Sequence, residues 1–479
     1  MKQDAMTAPP SDTGAPANSP SVWADLRAAL RGTGADYTRI PLKRAVFLLA
    51  IPMMLELVLE STFAVVDIFF VAQLGASAVA TVGLTETYLF LLYSVAMGLA
   101  MAVTAIVARR VGEQRGDEAA LSAVQAIGLA ALISLPVAAA GIFWAKDLLR
   151  LMGADAWAIE HGYRYTQWML GGNVVILLLF VINAVFRGAG DAAAAMRVLW
   201  VANALNIVLD PILIFGFGPI PAMGVEGAAI ATNVGRGAGV LMQLWILARG
   251  SEHLRITAAS LRWHGATMLH IARTSLGGIG QMIIAMTAWI FLMRILASLS
   301  TEAVAGATIA MRVMMFTLMP AWGMSNAAAT LVGQNLGAGE PARAEAAVWR
   351  IGWMNMAFTV AVSVGFFFWH DAIVGLFTDD AAVIAIGGEW LSILAWSYFV
   401  YGWWMVAVQA FNGAGDTMTP TWINLVFFWL LQIPLAWALA LPLEWAHSGV
   451  FWGVFVSETA VGLFTLWLFS RGRWKTASA

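Results

Sequence analysis

Between Leu42 and Phe469 the chain is a succession of runs of 18 or more residues almost without charge. Each run is long enough to cross a hydrocarbon core of about 30 Å as a helix. The whole chain is 61% hydrophobic and only 11% charged, where an ordinary soluble domain carries roughly 25% charged residues. A soluble fold of this length could not hide so much apolar surface, so lipid is the solvent for most of the molecule. The expected fold class is therefore an all-α integral membrane protein.

Splitting the runs at charged or Gly/Pro clusters predicts helices over 45–72, 82–108, 119–142, 160–186, 193–217 and 224–248, and then over 270–297, 307–333, 344–368, 386–411, 418–440 and 449–470. The loops after the odd-numbered helices carry only Lys146 and Arg150 as basic residues. The opposite set holds Lys43, Arg44, Arg109, Arg110, Arg115, Arg187, Arg249, Arg255, Arg262, Arg343, Arg471, Arg473 and Lys475. The positive-inside rule then places both termini in the cytoplasm of a multi-pass protein of the inner membrane. Residues 1–40 are rich in Pro, Ala, Ser and Thr and lack the apolar core of a signal peptide, which reads as a disordered cytoplasmic tail. Within it, Val22 to Arg31 has the spacing of a short amphipathic helix, but a flexible lead-in is the favoured reading.

The chain repeats itself at a shift of 225 residues. Gly98 falls on Gly323, Gly112 on Gly337 and Gly224-Val225 on Gly449-Val450, while Phe186-Arg-Gly-Ala-Gly-Asp191 falls on Phe411-Asn-Gly-Ala-Gly-Asp416. Six helices per half make this a parallel repeat about an axis normal to the membrane, an arrangement in which transporters rock one bundle against the other around a midplane site. The domain layout follows: an amino-terminal lobe over 41–250, a cytoplasmic linker over 251–269, a second lobe over 270–472 and a short cytoplasmic tail over 473–479. The two Gly-Ala-Gly-Asp turns read as structural, glycine supplying a positive φ and aspartate capping the next helix. Gly333-Gln-Asn-Leu-Gly-Ala-Gly339 lacks the preceding strand and following Lys-Ser/Thr of a phosphate loop and is rejected as a nucleotide site.

Charges inside apolar helices are expensive and mark function. The first predicted helix carries Glu56, Glu60 and Asp67, which at about 100° per residue share one stripe. Three acids in a row cannot face lipid, and no basic partner is expected within the first six helices. Pro52, one turn before Glu56, removes a backbone hydrogen bond and offers a kink. In the fifth helix Asn206 and Asp210 face one way at i, i+4, followed by Pro211, and the fourth contributes Tyr165 and Asn183. Carboxylates backed by neutral oxygens suit a proton or a hard cation such as Na⁺. The repeat does not copy this stripe: Gln281, Ala285 and Leu292 stand at the equivalent positions. The second lobe instead has Arg294, Arg312, Glu389 and Glu458, and an aromatic run with Trp396, Tyr398, Tyr401 and Trp404 able to stack on flat cations or to form an interfacial belt. A net charge of −2 gives no reason to expect nucleic acid, and the absence of cysteine rules out disulfides and thiolate metal sites.

Val66-Asp67, Phe186-Arg-Gly-Ala-Gly-Asp191, Asn206-Ile-Val-Leu-Asp210-Pro211, Gly224-Val-Glu-Gly-Ala-Ala-Ile-Ala231 and Val332-Gly-Gln-Asn-Leu-Gly337, in this order over residues 41–470, resemble the multidrug-and-toxin-extrusion (MATE) transporters. The resemblance implies a V-shaped pair of six-helix bundles, not an enzyme, that exports organic cations and amphipathic drugs against inward H⁺ or Na⁺. It implies that Asp67, Tyr165, Asn183, Asn206 and Asp210 form the cation-coupling site and that Pro52 is a first-helix bend; Glu56 and Glu60 have no counterpart in that pattern, their role is open, and with Glu86 they stand as candidate accessory acids. Ala228 departs from members that carry a hydroxyl there. Ala285 stands where one branch carries an acid, which implies coupling through the first lobe, as in the DNA-damage-inducible-protein-like branch. No cofactor beyond the coupling ion and no metal beyond a possible Na⁺ is expected. The partners expected are drug-like cations and membrane lipids, around a monomer. The competing reading is a lipid-linked saccharide flippase of the same superfamily, which would call for a groove lined with cations rather than acids.

Overall fold

The fold comes from a computed structural model that describes residues 21–250 and 254–477. Those residues form a short helix α1 (Val22–Arg31) followed by twelve membrane-length helical segments. The first lobe is α2 (Leu42–Ala72), α3 (Ala76–Gly112), α4 (Gly116–Leu151), α5 (Ala158–Ala189), α6 (Ala192–Phe215) and α7 (Val225–Arg249). The second is α8 (Gly265–Ala297), α9 (Thr301–Gly337), α10 (Pro341–Gly375), α11 (Ala381–Ala395 and Tyr398–Gly413, bent by 64°), α12 (Met418–Ala440) and α13 (Ala446–Ser470). Ten are individually long and apolar enough to cross a membrane, and the bent α11 makes an eleventh. The remaining helix, α7, has the length, but Glu226, Arg236 and Arg249 lower its apolarity. Its arginine matters below.

The repeat holds in three dimensions. Helices α3 and α9 start and stop 225 residues apart. Both α4 and α10 leave helical geometry at one tryptophan, Trp144 (φ −124°) and Trp369 (φ −127°), again 225 apart. Gly190 and Gly415 take φ of +89° and +90°, where a β-carbon would be strained, and Asp191 and Asp416 accept from the backbone N–H of Ala194 and Thr419 as they open the next helices.

Each lobe has its own apolar core, and a third core crosses between them. The shared core joins α1 and the first half of α2, from Ala45 to Met53, to α9, α10, α11 and α13. The seam is made by glycines. A β-carbon added at Gly112 would collide with the carbonyl oxygen of Gln334, and one at Gly337 with that of Arg109, a reciprocal pair across the pseudo-axis. Deeper in, Gly323 lies against Met53 and Met54, and Gly98 against Ile279. Side chains tie the same end: Gln334 donates to the Gly188 carbonyl at 3.0 Å and Thr330 to that of Arg187 at 3.1 Å. Among the described residues no hydrogen bond joins the lobes at the opposite ends of α2 and α3. The molecule is thus closed at the end bearing the basic loops. Gly337→Val is expected to hold this seam open. The chain has no cysteine, so a Thr330→Cys reporter in the buried seam reads the effect. Its maleimide labelling should be slow alone and at least about tenfold faster with Gly337→Val, since overpacking has no void to relax into.

Three expected boundaries change. Residues 21–40 are not a disordered tail. Ser21 caps α1, Asp25 sits in its first turn and bonds Arg44 at 2.9 Å, and Ala29 is buried; Tyr37 is also buried, its ring against Gly190. The Pro- and Ser-rich composition belongs to residues 1–20, outside the described residues, and averaging it over 40 positions concealed a capped helix. At the other terminus 473–477 is not a free tail either. Trp474 is buried, stacks on Phe469 at 4.9 Å, and is followed by Ala477, whose carbonyl accepts from Arg109 at 2.8 Å. Finally, α8 begins at Gly265, inside the linker expected over 251–269.

Candidate functional site

The stripe on α2 is real, but its acids have different fates. Glu56 is 3% exposed and is met at 2.8 Å by Arg187, near the end of α5. Asn183 donates to the same carboxylate at 3.4 Å and is itself held by Gln243 at 2.7 Å. Glu60 is met at 3.0 Å by Arg236 of α7, with Asn203 at 3.4 Å. The expectation that the first lobe offers no basic partner is therefore wrong. Arg187 had been counted with the loops, yet its helix runs on to Ala189 and turns the side chain inward. Arg236 stands between Gly235 and Gly237 in the middle of a predicted helix, and a charge at that depth is itself a signal of function. Glu56 and Glu60 are paired acids, and Asn183 belongs to the Glu56 network.

Asp67 and Asp210 are different. Asp67 Oδ1 and both carboxylate oxygens of Asp210 are buried and have no hydrogen-bond partner. Asp210 is fully buried. The two acids lie within electrostatic reach of each other, and Tyr165 within reach of both. Each stands five residues before the end of its helix, Asp67 in α2 and Asp210 in α6. Asp67 is thus nearer the open end of the molecule than the middle of its helix. Asn206, one turn before Asp210, donates to Thr232 at 3.1 Å. That hydroxyl stands one turn beyond Ala228 on the same helix. An unpaired carboxylate is costly to bury, and two that sense each other are costlier still. The arrangement can relieve itself by taking up a proton or a small cation.

The other candidates divide. Pro52 is buried inside an unbroken α2, level with the contact to Gly323. It frees the carbonyl of Leu48 from its helical bond but produces no break here. Glu86 is exposed on α3 and senses Arg312 of the other lobe, so the two face each other across the cleft. Tyr398 is 1% exposed and stacks on Tyr401 at 6.2 Å, which packs against Trp404 at 5.0 Å. Trp396 does not join them: at the bend of α11 it turns outward, 59% exposed and edge-on to Phe367.

A family model, MatE, matches the chain twice, at residues 52–212 and 278–438, once in each lobe. The chain belongs to the MatE family. An FAD transporter of Shewanella oneidensis is 27% identical over 403 residues, 83% of this MatE chain and 88% of that protein. A probable multidrug resistance protein NorM of Thermotoga maritima is 27% identical over 439 residues, 91% of this chain and 93% of its own. Among solved structures, a MOP superfamily transporter from Pyrococcus furiosus, described as having a binding pocket of reverse polarity, superposes with a TM-score of 0.84 at 23% identity, covering 93% of this chain and 99% of that one. A multidrug resistance MATE family transporter in an outward-facing conformation superposes with 0.86 at 24% identity, with 93% and 99% covered. At these identities the structures speak for the fold: two six-helix lobes of a multi-pass MatE membrane transporter.

Proposed function

We propose that this MatE protein is a secondary antiporter that exports organic cations and amphipathic drugs in exchange for H⁺ or Na⁺, coupled at Asp67 and Asp210. The observation that carries this reading is the set of three buried carboxylate oxygens on those two residues without a hydrogen-bond partner. Occupancy by a cation relieves the pair, and relief that differs between two lobe arrangements is all that coupling requires. Tyr165 and the Asn206–Thr232 pair supply neutral oxygens beside the acids. Tyr401 and Trp404, half-buried and backed by the buried Tyr398, offer aromatic faces to a flat cation. A flippase for lipid-linked saccharides, or an FAD-like cargo, calls for free cationic groups toward phosphate, and Arg187 and Arg236 of this lobe each already meet a glutamate.

The test is efflux of rhodamine 123 from proteoliposomes under separately imposed ΔpH and ΔNa. Export driven by at least one gradient supports the antiporter, and export indifferent to both removes it. The closed, basic end is assigned to the cytoplasm in the same reading, with both termini and the linker on that side. Reporter fusions after Phe217 and after Lys475 should be active on opposite sides of the membrane, and periplasmic activity at Lys475 would refute the orientation.

A further inference from the structure

Arg236 is 5% exposed in the middle of α7, and only one edge of its guanidinium is used. Nη2 bonds Glu60 at 3.0 Å, while Nε and Nη1 are buried without a partner. The head is centred 5.6 Å from the ring of Phe63 and 5.9 Å from that of Tyr93. Phe63 follows Glu60 by one turn and precedes Asp67 by one turn on the same stripe of α2. The cation therefore lies over the stretch between a carboxylate it holds and a carboxylate that lacks a partner. Seven residues of helix separate the two acids, about 10 Å along the axis, which a long flexible side chain pivoting over an aromatic face can largely span. Charged or titratable groups facing this head are Glu60 and Asp67 of α2 and Tyr93 of α3, while Glu86 of α3, Tyr165 of α5 and Asp210 of α6 lie around Asp67.

We propose that Arg236 is a tethered counter-ion of the coupling site: it rests on Glu60 while the coupling ion holds Asp67, and it moves onto Asp67 when that ion leaves. The assignment rests on the coupling role of Asp67. An arginine stays protonated in proteins, so it competes with the ion without titrating. Its fork of donors lets one edge engage the second carboxylate before the other releases the first. The consequence is that Asp67 and Asp210 are not left bare side by side when the ion leaves: the charge without a cation passes to Glu60, to which Asn203 donates. A lobe whose two neighbouring acids no longer repel each other can return without its ion, and ion affinity is held low enough for release.

The experiment uses the full-length protein and reads the Na⁺ concentration, and separately the pH in the absence of Na⁺, that gives half-maximal change in tryptophan fluorescence. Glu60→Gln leaves Arg236 free to settle on Asp67, and the ion should bind about tenfold or more weakly. Glu60→Gln combined with Arg236→Gln removes the competitor together with the acid it rests on, so neither member of that pair is stranded, and the ion should bind about tenfold more tightly than in wild type. Arg236→Lys keeps the pair but loses the free edge of the fork, and should fall between wild type and the double variant. These opposite signs are the signature. A pair that only holds helices together would shift both variants the same way or leave affinity unchanged, and either outcome overturns the tether. Asp67→Asn separates the two readings: if it keeps wild-type ion binding, the coupling site itself is misplaced, whereas if it loses binding and the signs above fail, only the tether falls.

Discussion

Asp67→Asn is expected to leave a folded, rhodamine-binding protein whose ion-driven efflux has fallen by roughly a hundredfold, the upper range of a typical coupling free energy of about 3 kcal/mol. The amide keeps the size of the side chain and removes its charge, so the variant imitates a site that is permanently occupied. Drug binding survives because the aromatic cluster of the second lobe is untouched. What disappears is the dependence of the lobe arrangement on the ion, since a group with no differential affinity for two states cannot shift them. Asp210→Asn should behave nearly the same way. The double variant should be no worse than either single one, because each removes the same site and such effects do not add. The measurement is rhodamine 123 efflux from proteoliposomes under ΔpH and under ΔNa, with dye binding by equilibrium dialysis as the control for folding. Wild-type gradient-driven efflux from Asp67→Asn would remove the site from this position.

The second large effect concerns stability. Arg187→Met should lower the unfolding free energy by about 3–5 kcal/mol, because taking one partner from a buried pair strands the other charge. Glu56 is the group stranded, and its remaining neighbour Asn183 lies 3.4 Å away and is engaged by Gln243. Adding Glu56→Gln should recover most of the loss, since the deficit comes from the abandoned carboxylate and not from the missing guanidinium. Thermal unfolding in detergent reads both variants. If Arg187→Met melts with the wild type, Glu56 is solvated or protonated and the pair is not holding α2 to α5.

Much of this organisation is legible in the sequence because it rests on one-dimensional signals. Helix number follows from runs of apolar residues, and the repeat from a register that survives at Gly98, Gly112 and the Gly-Ala-Gly-Asp turns. The site was legible only in part. Asp67 and Asp210 stand out as acids in apolar helices, but which acid is paired depends on where helices α5 and α7 bring their arginines, and spacing along one helix says nothing of the helix beside it. For that reason Glu56 and Glu60 looked equivalent to Asp67 until Arg187 and Arg236 were placed. Thr232 escaped notice for a related reason: one turn of helix separates it from Ala228, and either position can face Asn206. The bend that turns Trp396 away from Tyr398 lies within a run of uninterrupted hydrophobicity, where composition carries no mark of direction.

The seam glycines have a consequence for how the two halves divide their labour. Gly112 and Gly337 meet Gln334 and Arg109 reciprocally, so a torque arising in either half reaches the other through the same hinge. The unpaired acid pair has no counterpart in the second half, which carries Leu292 and Leu435 where the first carries Asp67 and Asp210. On the proposed coupling at Asp67 and Asp210, one half acts as the motor and its twin as the load. A load that is driven through backbone contacts need not conserve its interior to keep moving, and so its chamber is free to diverge toward whatever cargo selection demands.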